Sequence, residues 1–289
     1  MRVGMLEAFE MSFMRNALAA GILVSIACGI IGSFVVVRRI VFISGGIAHA
    51  AYGGVGLGYW LQYAVLAGTG AAAARPGMWP LAGALLFSLT AAVVMGFVTR
   101  RDRQRADTVI GVLWAIGMAL GVVFIDLTPG YKANLMSYLF GSILAVSPWE
   151  ITAMVVLDII VLLVVALLYR PLQAVSFDEV FSEVRGLPVG ALHITLLCLV
   201  AVSVVMMMRV VGLIMVIALL TIPAAISGMF NRRLSLMMVW AVVLGILFTT
   251  AGLMAAWQWN LTSGAAVILS AGVCYFLALA WKKVKGEAH

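Results

Sequence analysis

The sequence predicts an all-α polytopic membrane protein of about nine transmembrane helices, within a range of eight to ten, and three observations predict it. The 289 residues are 65% hydrophobic and only 10% charged, with a mean hydropathy of +1.17; a soluble domain is about 45–50% apolar and about 25% charged. The apolar residues collect in runs long enough to cross roughly 30 Å of hydrocarbon, which takes about 20 helical residues. The basic residues lie between those runs, as in cytoplasmic membrane loops. Together these exclude a soluble globular domain, a disordered chain and a nucleic-acid-binding domain, since the net charge of +7 is loop charge rather than a nucleic-acid footprint.

Along the chain, residues 1–15 come first. Met1, Met5, Leu6, Phe9 and Phe13 alternate there with Arg2, Glu7, Glu10 and Arg15, which suits an amphipathic helix lying in the outer interface. Nine candidate spans follow, at 16–37, 45–66, 79–99, 108–125, 151–168, 190–208, 210–228, 234–256 and 264–281. The run 135–146 is too short to cross and reads as a re-entrant or interfacial helix. No cleavable signal peptide is expected, because the first apolar run is too long and no polar domain follows it. Residues 1–289 are expected to form a single transmembrane domain. Cys28, Cys198 and Cys274 lie far apart inside apolar runs, so neither a disulfide framework nor a zinc knuckle is supported, and each reads as a small hydrophobe.

An N-terminus outside and a C-terminus in the cytoplasm put thirteen cations inside: Arg38, Arg39, Arg100, Arg101, Arg103, Arg105, Arg170, Arg185, Arg232, Arg233, Lys282, Lys283 and Lys285. Five remain outside: Arg2, Arg15, Arg75, Lys132 and Arg209. This is the asymmetry that sets membrane orientation, and it requires an odd number of crossings. Trp60, Trp79, Trp149, Trp257 and Trp259 fall near outer ends, where an aromatic belt would place them.

Connections are short except for 169–189, the longest polar stretch, which lies on the cytoplasmic side and is bracketed by Pro171 and Pro188. Ser176 is placed to cap a short helix, with Asp178 and Glu179 in its first turn. Phe177, Val180, Phe181 and Val184 would share one apolar face, and Gly186 would stop the helix before Pro188. Such a helix either rests on the bilayer or on its own bundle, or docks a soluble partner. Its acidic residues disfavour anionic lipid and so favour docking.

Five segments in order resemble the membrane permeases of bacterial ABC importers for zinc, manganese and iron. They are GSFVVVRR (32–39), ISGGIAHAAYGGVGLG (43–58), LMSYLFGSILAVSP (135–148), FDEVFSEVRGLP (177–188) and VVGLIMVIALLTIPAAIS (210–227). The resemblance covers essentially the whole chain. It implies an architecture like that of the type II, vitamin B12-type importers, in a prokaryotic plasma membrane. It also implies a second permease copy, two copies of a cytoplasmic ATP-binding subunit, and an extracytoplasmic metal-binding protein that delivers the ion. Segment 177–188 takes the place of the family's coupling helix. In one respect the chain departs from the family: an Asp commonly stands four residues before the His of the second span, and here that position is Gly45.

Ionisable residues inside spans are functional candidates by default. His49 lies beside a small-residue stripe, Ala50, Gly54 and Gly58, that lets another backbone approach closely. A neutral imidazole in a narrow path suits transient binding of a borderline cation; the alternative is a histidine bonded to a neighbouring helix. Asp158, in mid-span, is either a cation-attracting group in the path or a partner in an interhelical hydrogen bond. Gly212 opens the seventh span and Pro223 interrupts it, as a hinge, a path-lining kink or a static one. Arg209 is expected to anchor the topology or to pair with Asp126 or Glu150. His193 reads as capping or solvated near a cytoplasmic end. Met206, Met207 and Met208 face different directions and read as apolar filling.

The leading function is therefore the permease subunit of an ATP-driven importer for divalent metal ions, working by alternating access, with no permanently bound cofactor. The chain contains no P-loop, so ATP hydrolysis would belong to a separate subunit. No HExxH, no GxSxG and no paired intramembrane aspartates support an embedded enzyme. The alternatives are an ABC permease for an iron chelate or cobalamin, and an ion-coupled secondary transporter, for which Asp158 is the one good carboxylate.

Overall fold

Backbone groups in hydrocarbon must be satisfied within their own segment, and among the described residues every regular element is helical. The structure is a computed structural model and describes residues 11–65, 78–101, 103–129, 135–141 and 143–284. The amphipathic stretch expected at 1–15 lies outside it except for its last five residues. The long helices are α1 (Ser12–Val37), α2 (Val41–Trp60), α3 (Met78–Arg101), α4 (Arg103–Asp126), α6 (Pro148–Phe177), α8 (Val189–Val211), α9 (Leu213–Phe230), α10 (Leu234–Trp259) and α11 (Ser263–Val284). Two short ones join them, α5 (Leu135–Phe140) and α7 (Glu179–Val184). Among the described residues nine helices are long and apolar enough to cross a membrane. The run at 135–146 yields only the six residues of α5 and one 3-10 turn, Ile143–Ala145, far short of a crossing.

The chain falls into two compact units. The inserted unit comprises Ile40–Tyr138 and Asp178–Met206, and the terminal unit comprises Met1–Arg39, Leu139–Phe177 and Met207–His289.

In the inserted unit α2 packs against both α3 and α4. Glycine makes this possible. Gly54 and Gly58 lie against the α3 backbone at Gly83, Trp79 and Pro80. On the other side, Cβ atoms at Gly53 and Gly56 would come within 2.8 Å of the Gly117 carbonyl and 2.5 Å of the Gly121 carbonyl of α4. Helices in lipid associate through such close backbone approach rather than through a hydrophobic driving force. The C-terminal turn of α3 is tied to α8 by Thr99 Oγ1, 2.9 Å from His193 Nε2. His193 is therefore buried and bonded across helices, not capping or solvated as the sequence suggested.

In the terminal unit α1 is the central helix, touching α6, α9 and α10. Its small residues meet α10 in succession: Gly21 at Thr249, Ser25 at Gly245, Gly29 at Val242. Gly32 then meets the backbone of Leu220 on α9. The hydroxyls on this seam bond back into their own helices, Ser25 to the Gly21 carbonyl at 2.6 Å, Ser33 to Gly29 at 2.7 Å and Thr249 to Gly245 at 2.9 Å. The seam is thus tight without leaving a polar group unsatisfied.

Helix α6 corrects the expected boundary near 168. It continues through Pro171 to Phe177. Proline forfeits one backbone hydrogen bond but has helical φ, and the fully buried Leu172 and Val175 hold the following turn in place. At the other end Glu150 reaches back to Ser147, making the glutamate half of a capping box. Glu150 Oε2 accepts from the Ser147 backbone N–H at 2.9 Å and from its hydroxyl at 2.7 Å, with proline at the first helical position. Arg209 Nε donates to Glu150 Oε1 at 2.9 Å, one of the two partners weighed for it.

Candidate functional site

His49 lies on α2 and is 8% exposed. Its Nδ1 is 2.8 Å from the carbonyl oxygen of Gly45, one turn earlier. A carbonyl can only accept, so Nδ1 carries the proton, and in the neutral ring Nε2 is the nitrogen that keeps a lone pair. This is how a metal-ligating histidine is commonly oriented, by a bond from its other nitrogen. Trp114 of α4 lies over the imidazole, ring centroids 4.4 Å apart. A Cβ on Gly45 would stand 3.6 Å from the same indole. At the position where an acidic residue was expected, this chain thus combines a backbone carbonyl, which orients the ring, with an indole that covers it. Gly117, also on α4, lies against the His49 carbonyl, where a Cβ would come within 2.5 Å.

Asp158 lies on the buried stripe of α6, with Met154, Leu157, Val161 and Val165. It is 5% exposed, and neither carboxylate oxygen has a hydrogen-bond partner among the described residues. The interhelical bond offered as its alternative is absent there. Asp158 belongs to the terminal unit and His49 to the inserted one. Among the described residues no group of three or more His, Cys, Asp and Glu converges. Met207 and Met208 are buried, and the Cys28 thiol donates to Met207 Sδ at 3.6 Å, an ordinary packing contact between soft atoms.

The expected partner-facing helix corresponds to α7, with a different cap. Ser176 lies inside α6, its hydroxyl bonded to the Leu172 carbonyl at 2.6 Å. The cap is Asp178, whose backbone is extended and whose Oδ1 accepts from the Phe181 N–H at 2.9 Å. The reason is that α6 runs on past Pro171, so the break in helical backbone falls two residues later. Gly186, at φ +77°, closes α7. Its N–H bonds the Glu183 carbonyl, and the Leu187 N–H bonds that of Ser182, a Schellman termination that only glycine forms without strain. Val180 is 75% exposed and Val184 83%, with Phe181 beside them under the Arg185 guanidinium, 5.0 Å away. Phe177 is the last residue of α6, also exposed, and belongs to the terminal unit. Glu179 opens α7. Arg100 reaches Glu183 at 3.6 Å, an exposed pair that contributes little.

Gly212 separates α8 from α9 at φ +84°, ψ 153°, a region essentially closed to other residues. It lies backbone to backbone with Gly141, itself at φ +71°. Pro223 is buried within α9, which stays helical on both sides of it. Sequence reasoning missed Trp114, and no local signal could have found an indole that acts from another helix. It also missed Gly117 and Gly121, although their four-residue spacing was the same small-residue signal already read on α2.

Known proteins agree with this arrangement across nearly the full length. The model of the ABC 3 transport family matches residues 10–282. An uncharacterized membrane protein of Synechocystis sp. is 50% identical over 279 residues, 96% of this chain and 94% of the relative. The manganese transport system membrane protein MntC of Listeria monocytogenes is 33% identical over 277 residues, 96% and 93% of the two chains. Among solved structures, a chain of PsaBC from Streptococcus pneumoniae, in complex with a Fab, superposes with a TM-score of 0.82 at 26% identity, covering 97% of this chain and 98% of that one. With nine apolar helices among its described residues, its glycine seams and this near full-length match, the chain belongs to the ABC 3 transport family.

Proposed function

We propose that the chain is the permease subunit of an ATP-driven importer for a divalent metal ion, with manganese, zinc and iron as the candidates and manganese first among them. The observation that carries this is the near full-length match to a family that includes a manganese transport system membrane protein, in a chain that holds an oriented, buried His49. His49 Nε2 acts as a transient ligand in the path. One imidazole binds a borderline cation weakly, which suits an ion that must also leave. Asp158 contributes negative charge along the way. Residues 1–289 work as one permease domain, paired with a second copy of itself. Two copies of a cytoplasmic ATPase engage Phe177, Glu179, Val180, Phe181, Val184 and the turn at Gly186. An extracytoplasmic binding protein delivers the ion. The chain spans the prokaryotic plasma membrane with its N-terminus outside, and ATP hydrolysis resides in the ATPase. Gly54 and Gly58 keep α2 against α3, while Gly212 and Pro223 give α9 its freedom to move.

The test is metal accumulation by elemental analysis across Mn, Fe, Co, Ni, Cu and Zn. The chain is co-expressed with its ATPase and binding protein in an uptake-deficient host, beside a dead-ATPase control and His49→Ala. ATP-dependent accumulation of one ion, lost in His49→Ala, is expected. An assembled complex with active ATPase that accumulates no ion would overturn the reading in favour of a chelate or cobalamin permease.

A further inference from the structure

One end of the terminal unit carries Arg38, Arg39, Arg232, Arg233, Lys282 and Lys283. Among that unit's described residues there are two carboxylates, and neither reaches Arg232 or Lys282: Asp158 is buried in the middle of α6, and Glu150 caps the opposite end of that helix and pairs with Arg209. At the basic end a cleft of about 450 Å³ opens between α1, α6, α9, α10 and α11. Its walls are apolar, with Val36, Met229, Leu234 and Tyr275 among them, and Arg232 and Lys282 also line it. No carboxylate does. The aromatic pair Phe230 and Trp281, ring centroids 5.8 Å apart, lies within two residues of those cations in sequence, and such rings favour the headgroup level of a bilayer.

We infer that this cleft binds an anionic phospholipid, with its phosphate between Arg232 and Lys282 and an acyl chain along the apolar wall. Arg232 and Lys282, with no carboxylate partner among the described residues, offer an anion two charges at the mouth of the cleft, and the apolar wall between spanning helices suits an acyl tail. One amphiphile supplies both, whereas a free phosphate would leave the apolar wall unfilled. Basic pockets between transmembrane helices hold anionic headgroups for this reason. The inference stands whichever ion is transported.

The experiment is native mass spectrometry of the delipidated full chain offered equal amounts of phosphatidylglycerol and phosphatidylcholine. The wild type should retain phosphatidylglycerol in preference. Arg232→Ala with Lys282→Ala should weaken that retention about 25-fold, from about fivefold per cation near an anionic headgroup. Lys283→Ala, outside the cleft, should leave it within about twofold. The charge-preserving pair Arg232→Lys and Lys282→Arg should retain the lipid, which separates lost charge from lost fold. Equal retention of the two lipids by the wild type would overturn the inference, as would unchanged retention in the double alanine variant. So would a double variant that keeps the lipid but loses co-purification with the ATPase, because the cleft would then be a protein dock.

Discussion

Replacing Gly212 by alanine should destabilise this protein more than its single methyl group suggests. Two independent costs meet at that residue. Its backbone, at φ +84° and ψ 153°, is a conformation that costs a non-glycine residue about 1–3 kcal/mol. A Cβ there would also strike backbone rather than a side chain: Gly141 N, the Phe140 carbonyl carbon, and the Leu139 carbonyl oxygen at 2.8 Å. No rotamer change relieves such a contact, and overpacking of this kind costs about 1–3 kcal/mol more. The expected loss is therefore about 2–6 kcal/mol, a large fraction of the 5–15 kcal/mol typical of a folded protein. Gly272→Ala is the internal control. It sits within α11 with nothing inside 4 Å of its added Cβ, and helix propensity alone predicts a gain of up to about 1 kcal/mol. Both variants can be unfolded with SDS from mixed micelles and followed by circular dichroism. Gly212→Ala within about 1 kcal/mol of the wild type would refute the reasoning, since neither the strained conformation nor the Gly141 contact could then be as described.

Two further outcomes follow from individual side chains. Phe181→Ala should leave the permease folded, because the ring is 54% exposed, but should weaken ATPase co-purification about 30-fold, as truncation of an interface anchor does; unchanged co-purification and uptake would remove α7 from the docking surface. Asp158→Leu should raise stability by about 1–3 kcal/mol, since it removes a buried carboxylate that has no partner among the described residues, and should lower metal accumulation; a loss of stability in the SDS assay would mean that the carboxylate is satisfied in the membrane.

The candidate site was legible to different depths. His49 stood out because an ionisable residue within an apolar run is costly. What orients it did not, because the Gly45 carbonyl is backbone, which every residue possesses, and because Trp114 is 65 positions away. The α7 helix was visible from its apolar spacing and from Gly186, but its cap was misplaced by two residues. The error came from reading Pro171 as a stop, whereas packing of Leu172 and Val175 carries α6 through it. The Ser147–Glu150 spacing at the start of α6 is a capping signal readable from the sequence alone, whereas the sequence reading weighed Glu150 only as a partner for Arg209.

By itself the sequence determined that the chain is helical and apolar enough to cross a membrane repeatedly, where its main spans lie, and that 135–146 is too short for another. Those properties follow from local hydropathy and from the demand that backbone groups in hydrocarbon bond within their own segment. Only the tertiary structure decided which small residues face which. Gly54 meets Gly83, Gly32 meets Leu220, and Gly141 meets Gly212. Glycine is marked in the sequence only by a missing side chain, and the neighbour that comes close enough to require its absence belongs to another helix.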